Sequence, residues 1–233
     1  MTGPRFTDQT LVFDADDTLW ENNVLFERVV EDFTDWLAHP SLDRRQVRAI
    51  LDEIEAANTV VHGVGAEAFL RNLGQAFELL SDRPRTAADE ARIRSLATAL
   101  LDHEIVLMPE VADTLTALAT RHRVLLLTRG AESEQQRKID ASGLAEIFES
   151  THIVAHKVPE TYRQLAADKN LDIGRSWMIG NSPRSDILPA RAVGMRAVYI
   201  PNPDTWSLEL TELDSRDDGV VTLSRFAELV TLF

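Results

Sequence analysis

The chain has no cysteine among its 233 residues. That excludes disulfides, thiolate nucleophiles and cysteine-ligated zinc, and it fits a reducing compartment. Lysine is almost as scarce, occurring only at Lys138, Lys157 and Lys169. Basic charge is outweighed overall, with a formal net charge of −14. This balance opposes sequence-independent binding to nucleic acid and docking on an anionic membrane surface. No apolar run approaches the ~20 residues of a membrane span, and residues 1–6 carry no apolar leader core. The expectation is a soluble, cytoplasmic protein that uses neither nucleic acid nor membrane as partner; its oligomeric state is unknown. Phosphate ligands remain allowed, but an acidic chain must supply local cations for them: a metal, a lysine or a helix N-terminus.

What is present is an ordinary globular mix, 44% hydrophobic and 27% charged, long enough for one large domain or a core plus an insert. Two textures divide it. From 21 to 105 the pattern is helical. Leu25, Val29, Phe33 and Leu37 recur at every fourth position. Val47, Ile50, Leu51 and Ile54 form a second stripe, Phe69, Leu73, Phe77 and Leu80 a third, and Ile93, Leu96 and Leu100 a fourth. Asp43 and Thr86 are placed to cap two of these helices, and Thr86 with Asp89 has capping-box spacing. Four short-linked amphipathic helices predict a small bundle.

After Pro109 the texture becomes α/β. Apolar runs at 124–127, 153–154, 177–179, 197–200 and 220–223 predict strands, the last at an edge. Helices are expected over 132–141, closed by Gly143, from Pro159, and over 187–193. Alternating strands and helices predict a parallel, doubly wound, Rossmann-like sheet. The run Leu11-Val12-Phe13 belongs to that sheet too. The bundle is therefore an insert: an α/β core of residues 1–20 and 106–233 with helices at 21–105.

Polar residues follow the strands in order. Asp14 and Asp16 come directly after 11–13, with Thr18 beyond them. Thr128 and Arg129 follow 124–127. Lys157 precedes the Pro159 helix. Gly180-Asn181-Ser182-Pro183-Arg184-Ser185-Asp186 follows 177–179. Parallel strands put all four signals on one carboxyl edge, where open α/β sheets bind ligands. Together they supply what phosphoryl transfer needs, which is positioned donors and cations against spread negative charge. Thr128 can bind phosphoryl oxygens, Lys157 can offset charge, and Asp14 with the fourth segment can hold a cation.

These motifs resemble the haloacid dehalogenase superfamily of hydrolases, most of whose members are phosphatases. The resemblance spans the whole chain. It implies Asp14 as nucleophile and Asp16 as general acid/base in the Asp-x-Asp-x-Thr-Leu motif. Thr128, with Arg129 beside it, stands for the second motif, Lys157 for the third and residues 180–186 for the fourth, so that Thr128, Arg129 and Lys157 hold the substrate phosphate. It implies Mg²⁺ bound by Asp14, Asp16 through its carbonyl, Asn181 and Asp186. The helices at 21–105 take the place of the family's inserted helical cap; separately, the two glycines of His62-Gly63-Val64-Gly65 allow a loop there to reach into the cleft, with His62 read as a surface histidine rather than a substrate contact.

One departure stands out. The fourth motif usually begins Gly-Asp, and here it reads Gly180-Asn181. The dehalogenase branch has an amide near this position and uses no metal. Its halide leaving group needs no acid, however, and Asp16 is present. The absence of lysine from the insert separates the chain from phosphonate-cleaving relatives, which form a Schiff base there. The reading is a magnesium-dependent phosphomonoesterase acting on a small phosphorylated metabolite through an aspartyl-phosphate. A metal-independent 2-haloacid dehalogenase-type hydrolase and a non-catalytic binding relative remain as alternatives.

Overall fold

The computed structural model describes residues 5–101 and 103–233. Residues 1–4, part of the segment read as lacking a leader core, and Asp102, in the helical stretch, lie outside the described residues. The chain forms two compact units, Met1–Glu21 with Ile105–Phe233, and Asn22–Glu104.

The first unit is built on six strands: β1 (Thr10–Phe13), β2 (Arg123–Arg129), β3 (Ser150–Val154), β4 (Ser176–Gly180), β5 (Arg196–Tyr199) and β6 (Val220–Thr222). All pair in parallel, in the order β3-β2-β1-β4-β5-β6. The fold is thus the expected doubly wound parallel α/β sheet. Side chains alternate between faces along each strand, which divides the core in two. Leu11, Phe13, Leu126, Trp177 and Ile179 pack on one side, against helices α5 (Val111–Ala119), α6 (Glu132–Ser142) and α9 (Leu229–Leu232). Val12, Leu125, Leu127 and Met178 pack on the other, against α7 (Pro159–Asp168) and α8 (Leu188–Ala192). Strand order reverses between β1 and β4, so a crevice opens outside their carboxyl ends. Asp14 and Asn181 follow those two strands.

Two local features differ from the sequence expectation. Helix α5 has no counterpart in it, although Val111, Leu115 and Leu118 recur at i, i+4 and i+7 and are buried. At nine residues it is too short for the pattern to stand out. The helix expected at 187–193 begins earlier, as a π-turn over Pro183–Ile187 that runs into α8. Pro189 has no N–H for the Ser185 carbonyl; that carbonyl accepts from Tyr162 Oη instead, at 2.7 Å. Such wide turns collect at functional sites.

The second unit consists of four helices, labelled α1 (Asn23–Leu37), α2 (Arg44–His62), α3 (Ala66–Leu80) and α4 (Ala87–Leu101). The predicted stripes meet in one core of Val29, Phe33, Val47, Leu51, Phe69, Leu73, Phe77 and Ile93, with Trp36 stacked on Phe77. Asp43 caps α2 through a full capping box, its carboxylate accepting from Gln46 N–H at 2.9 Å. Thr86 and Asp89 exchange the same pair of bonds at the start of α4. Gly63, with φ of 71°, ends α2, where a side chain would be strained. Among the described residues no helix is long and apolar enough to cross a membrane.

Candidate active site

Asp14 extends β1 by one residue, its N–H donating to Ile179 O at 2.9 Å. The chain then turns. Leu19 N–H returns to Ala15 O at 2.7 Å, and Asp17 adopts a left-handed φ of 61°. The turn brings the Asp16 carboxylate back over the sheet edge and the Thr18 hydroxyl against Asp14. Left extended, positions 14 and 16 would share one face of the sheet; the turn sends their carboxylates to different partners.

Two constellations result, the first buried and the second partly so. In the first, Lys157 donates to Asp14 Oδ1 and, at 2.7 Å, to Asp186 Oδ1. Asp186 Oδ2 accepts from the Ser182 N–H at 3.0 Å. Gly180 lacks a side chain because a Cβ there would collide with the Asp186 carboxylate. Thr18 Oγ1 lies 3.1 Å from Asp14 Oδ2 and 3.0 Å from Asn181 Oδ1, and it accepts from the Asn181 N–H. The Asn181 amide donates to Thr205 at 2.7 Å.

In the second constellation, Asp16 accepts from Trp20 Nε1 at 2.7 Å, Gln135 Nε2 at 2.9 Å and Lys138 Nζ at 3.0 Å to both oxygens. Gln135 Oε1 accepts from the Thr128 hydroxyl at 3.1 Å. Gln135 and Lys138 lie three positions apart on α6 and so share a face.

The electrostatics differ between the two. Burial pushes the Asp16 carboxyl up, but the Lys138 ammonium and the Gln135, Lys138 and Trp20 hydrogen bonds outweigh it, leaving Asp16 below the usual range. Burial pulls Lys157 down, and the Asp14 and Asp186 carboxylates more than restore it. Burial, with Asp14 alongside, pushes Asp186 up to about 7 against the pull of Lys157. Two carboxylates thus share one ammonium, and the cluster is short of positive charge.

That shortage bears on a metal. Among the described residues no group of three histidine, cysteine, aspartate or glutamate side chains is placed to hold one. Yet Asp14 Oδ2 and Asn181 Oδ1 converge on one hydroxyl, which can give its proton to only one of them. Oxygen donors short of charge suit a small hard cation. These oxygens could hold magnesium, with the Asn181 amide oxygen as a neutral donor.

A family model for haloacid dehalogenase-like hydrolases matches residues 9–194. The chain belongs to the haloacid dehalogenase-like hydrolases. A haloacid dehalogenase-like family hydrolase from Xanthomonas campestris is 28% identical, with a TM-score of 0.82 over 96% of this chain and 93% of that one. YfnB from Bacillus subtilis, a HAD-hydrolase solved bound to magnesium, is 16% identical, with a TM-score of 0.70 over 96% and 97%. A 2-haloacid dehalogenase from Pseudomonas syringae is 20% identical, with a TM-score of 0.63 over 97% of each. The last two likenesses are of fold. No curated protein matches the sequence.

Within this hydrolase the expected residues fall into distinct places. Asp14, Thr18, Lys157, Asn181 and Asp186 form one connected cluster, and Asp16 and Thr128 form another through Gln135. Arg129 stands apart. Its guanidinium is committed to Glu209 at 2.6 Å and Ser185 at 3.2 Å, so meeting a phosphate would mean giving up Glu209. Sequence reasoning passed over Gln135, Lys138, Thr205 and Glu209. Lys138 carried a weak signal, since it is one of three lysines in the chain, stands next to Ile139 in α6, and a lysine is buried only if paired. Thr205 and Glu209 sit in the irregular stretch between β5 and β6, where no periodicity marks them.

Proposed function

We propose that the protein is a magnesium-dependent phosphomonoester hydrolase acting on a small phosphorylated metabolite through an aspartyl-phosphate. One observation carries this reading: Asp14 and Asp16 stand together at the carboxyl edge of the sheet, each already bound by a buried lysine. An Asp14 oxygen attacks phosphorus, and the bond from phosphorus to the leaving oxygen breaks. Asp16, once protonated, gives that oxygen its proton. Water then attacks the aspartyl-phosphate, loses a proton to Asp16, and releases phosphate while regenerating Asp14. Thr128 and Lys157 bind phosphoryl oxygens, and Arg129 joins them where substrate displaces Glu209. Asp14, the Asp16 carbonyl, Asn181 and Asp186 would hold the magnesium, which when bound neutralises charge on the transferring group. Residues 21–105 act as a cap on this reading, which rests on their place in the chain between the first and second motifs.

A second reading, a metal-independent 2-haloacid dehalogenase-type hydrolase, draws on the Asn181 amide and its engagement by Thr18 and Thr205. Hydrolysis of p-nitrophenyl phosphate with magnesium, lost in excess EDTA, is the expected result. Full hydrolysis in EDTA would remove the metal from the proposal. Halide release from 2-chloropropionate in EDTA would establish the second reading. Turnover of neither would leave a binding relative.

A further inference from the structure

Among the described residues Asp16 is held on three sides, and one of its partners also touches the second motif. Trp20 lies four residues on in the same turn. Lys138 reaches it from the second turn of α6. Gln135 joins it to Thr128, giving Nε2 to Asp16 and taking the Thr128 proton on Oε1. The side chain is buried at 2% exposure. The backbone is shaped around it: Gly130 has φ of 156°, and a Cβ there would meet Gln135 Nε2 at 2.8 Å and Cγ at 2.9 Å. A left-handed glycine at the end of β2 therefore leaves the space in which the amide lies.

We propose that Gln135 is a positioning residue that sets the Asp16 carboxylate beside a phosphate bound at Thr128. The inference rests on the phosphatase reading. The Thr128 hydroxyl has one proton. When a phosphoryl oxygen accepts that proton, Gln135 Oε1 gives it up, while Gln135 Nε2 still donates to Asp16 and keeps the acid/base in place beside the bound substrate.

The test compares wild type, Gln135→Leu and Gln135→Glu on two esters. Phenolate leaves phenyl phosphate poorly and needs a proton. The leaving group of 2,4-dinitrophenyl phosphate needs none. Misplacing an acid by a fraction of a bond length costs roughly tenfold or more in rate. Gln135→Leu should lower kcat on phenyl phosphate by about tenfold or more, and on the dinitrophenyl ester by less than about threefold. KM should not rise, because Thr128 no longer shares its proton. Gln135→Glu keeps the acceptor for Thr128 but repels Asp16, so it should lower kcat on phenyl phosphate with KM unchanged. Equal losses on both esters, or a raised KM, would mean a merely structural residue and would overturn the inference.

An arm independent of activity separates this from the function itself. Thermal unfolding of Asp16→Asn, Gln135→Leu and the double variant should be non-additive, because the two side chains share a bond. Additive melting shifts would sink the positioning claim whatever the protein hydrolyses. If wild type hydrolyses neither ester, the phosphatase reading falls and the melting cycle alone decides whether Gln135 holds Asp16.

Discussion

The two units pair polar groups in different ways. In the helical unit several partners lie within one helix or at its start: Arg48 with Asp52, Arg83 with Asp89, and Asp43 with Gln46. In the α/β unit they come from opposite ends of the chain. Lys157 meets Asp14 across 143 positions, Lys138 meets Asp16 across 122, and Thr18 meets Asn181 across 163. Local pairs can form as a helix forms, whereas the distant ones exist only once the sheet is assembled. The difference teaches where each unit's polar residues serve: in the bundle they shape helices and their ends, and at the sheet edge they build a site.

The sharpest break of this comparison is at Asp14. Asp14→Asn is nearly isosteric and keeps hydrogen-bonding capacity, but it removes the nucleophilic anion. Turnover of p-nitrophenyl phosphate should fall by more than the roughly 10²–10⁴ typical of losing an acid or base, with far-UV circular dichroism unchanged. More than a tenth of the wild-type rate would refute Asp14 as nucleophile.

Lys157→Met tests the distant pairing as a matter of stability. It leaves Asp14 and Asp186 buried without their cation. Removing one partner of a buried charge cluster costs about 3–5 kcal/mol, measured by urea unfolding at neutral pH. A loss below about 1 kcal/mol would show that the cluster is wetter than its burial implies.

A smaller effect is expected with pH. Asp186 is pushed up to about 7, above the ~3.9 of an unfolded aspartate. A raised carboxyl pKa favours the protonated folded form. Its stabilising contribution is therefore complete below about pH 4 and is lost as pH rises toward 7. The stability of wild type minus that of Asp186→Asn, measured without divalent metal, should fall across that window. A flat difference would place the Asp186 pKa near its ordinary value.

The smallest effect belongs to the helical unit. Asp43→Ala removes one local capping box and should cost about 1 kcal/mol by the same urea assay, with catalysis unaffected. A loss comparable with that of Lys157→Met would erase the contrast between the units.

The architecture was largely legible in the sequence. Strand runs, helix stripes, the caps at Asp43 and Thr86, and the stop at Gly143 each depend on neighbours within a turn or two. Helix α5 was missed because nine residues give too few repeats. The π-turn was missed because its bonds, from Ile187 N–H to Ser182 O and Leu188 N–H to Pro183 O, span one residue more than an α-helical bond and leave no mark in the side-chain pattern. At the site, the motif order marked Asp14, Asp16, Thr128, Lys157 and Asp186 as residues of one edge. It did not reveal that Arg129 would be taken by Glu209, or that α6 would furnish Gln135 and Lys138 to Asp16.

The sequence by itself determined which segments become strands and helices, that the bundle interrupts an α/β chain, and that four polar signals share the carboxyl edge. Periodicity and chain order carry that information, because parallel strands point every carboxyl end the same way. Only the tertiary structure decided the pairings within the edge. Those depend on the order β3-β2-β1-β4-β5-β6, which seats Asn181 beside Asp14. They depend too on the left-handed turn at Asp17, which folds Asp16 back toward α6. Side chains more than a hundred positions apart meet through register and turn geometry, and no local pattern in the chain encodes that meeting.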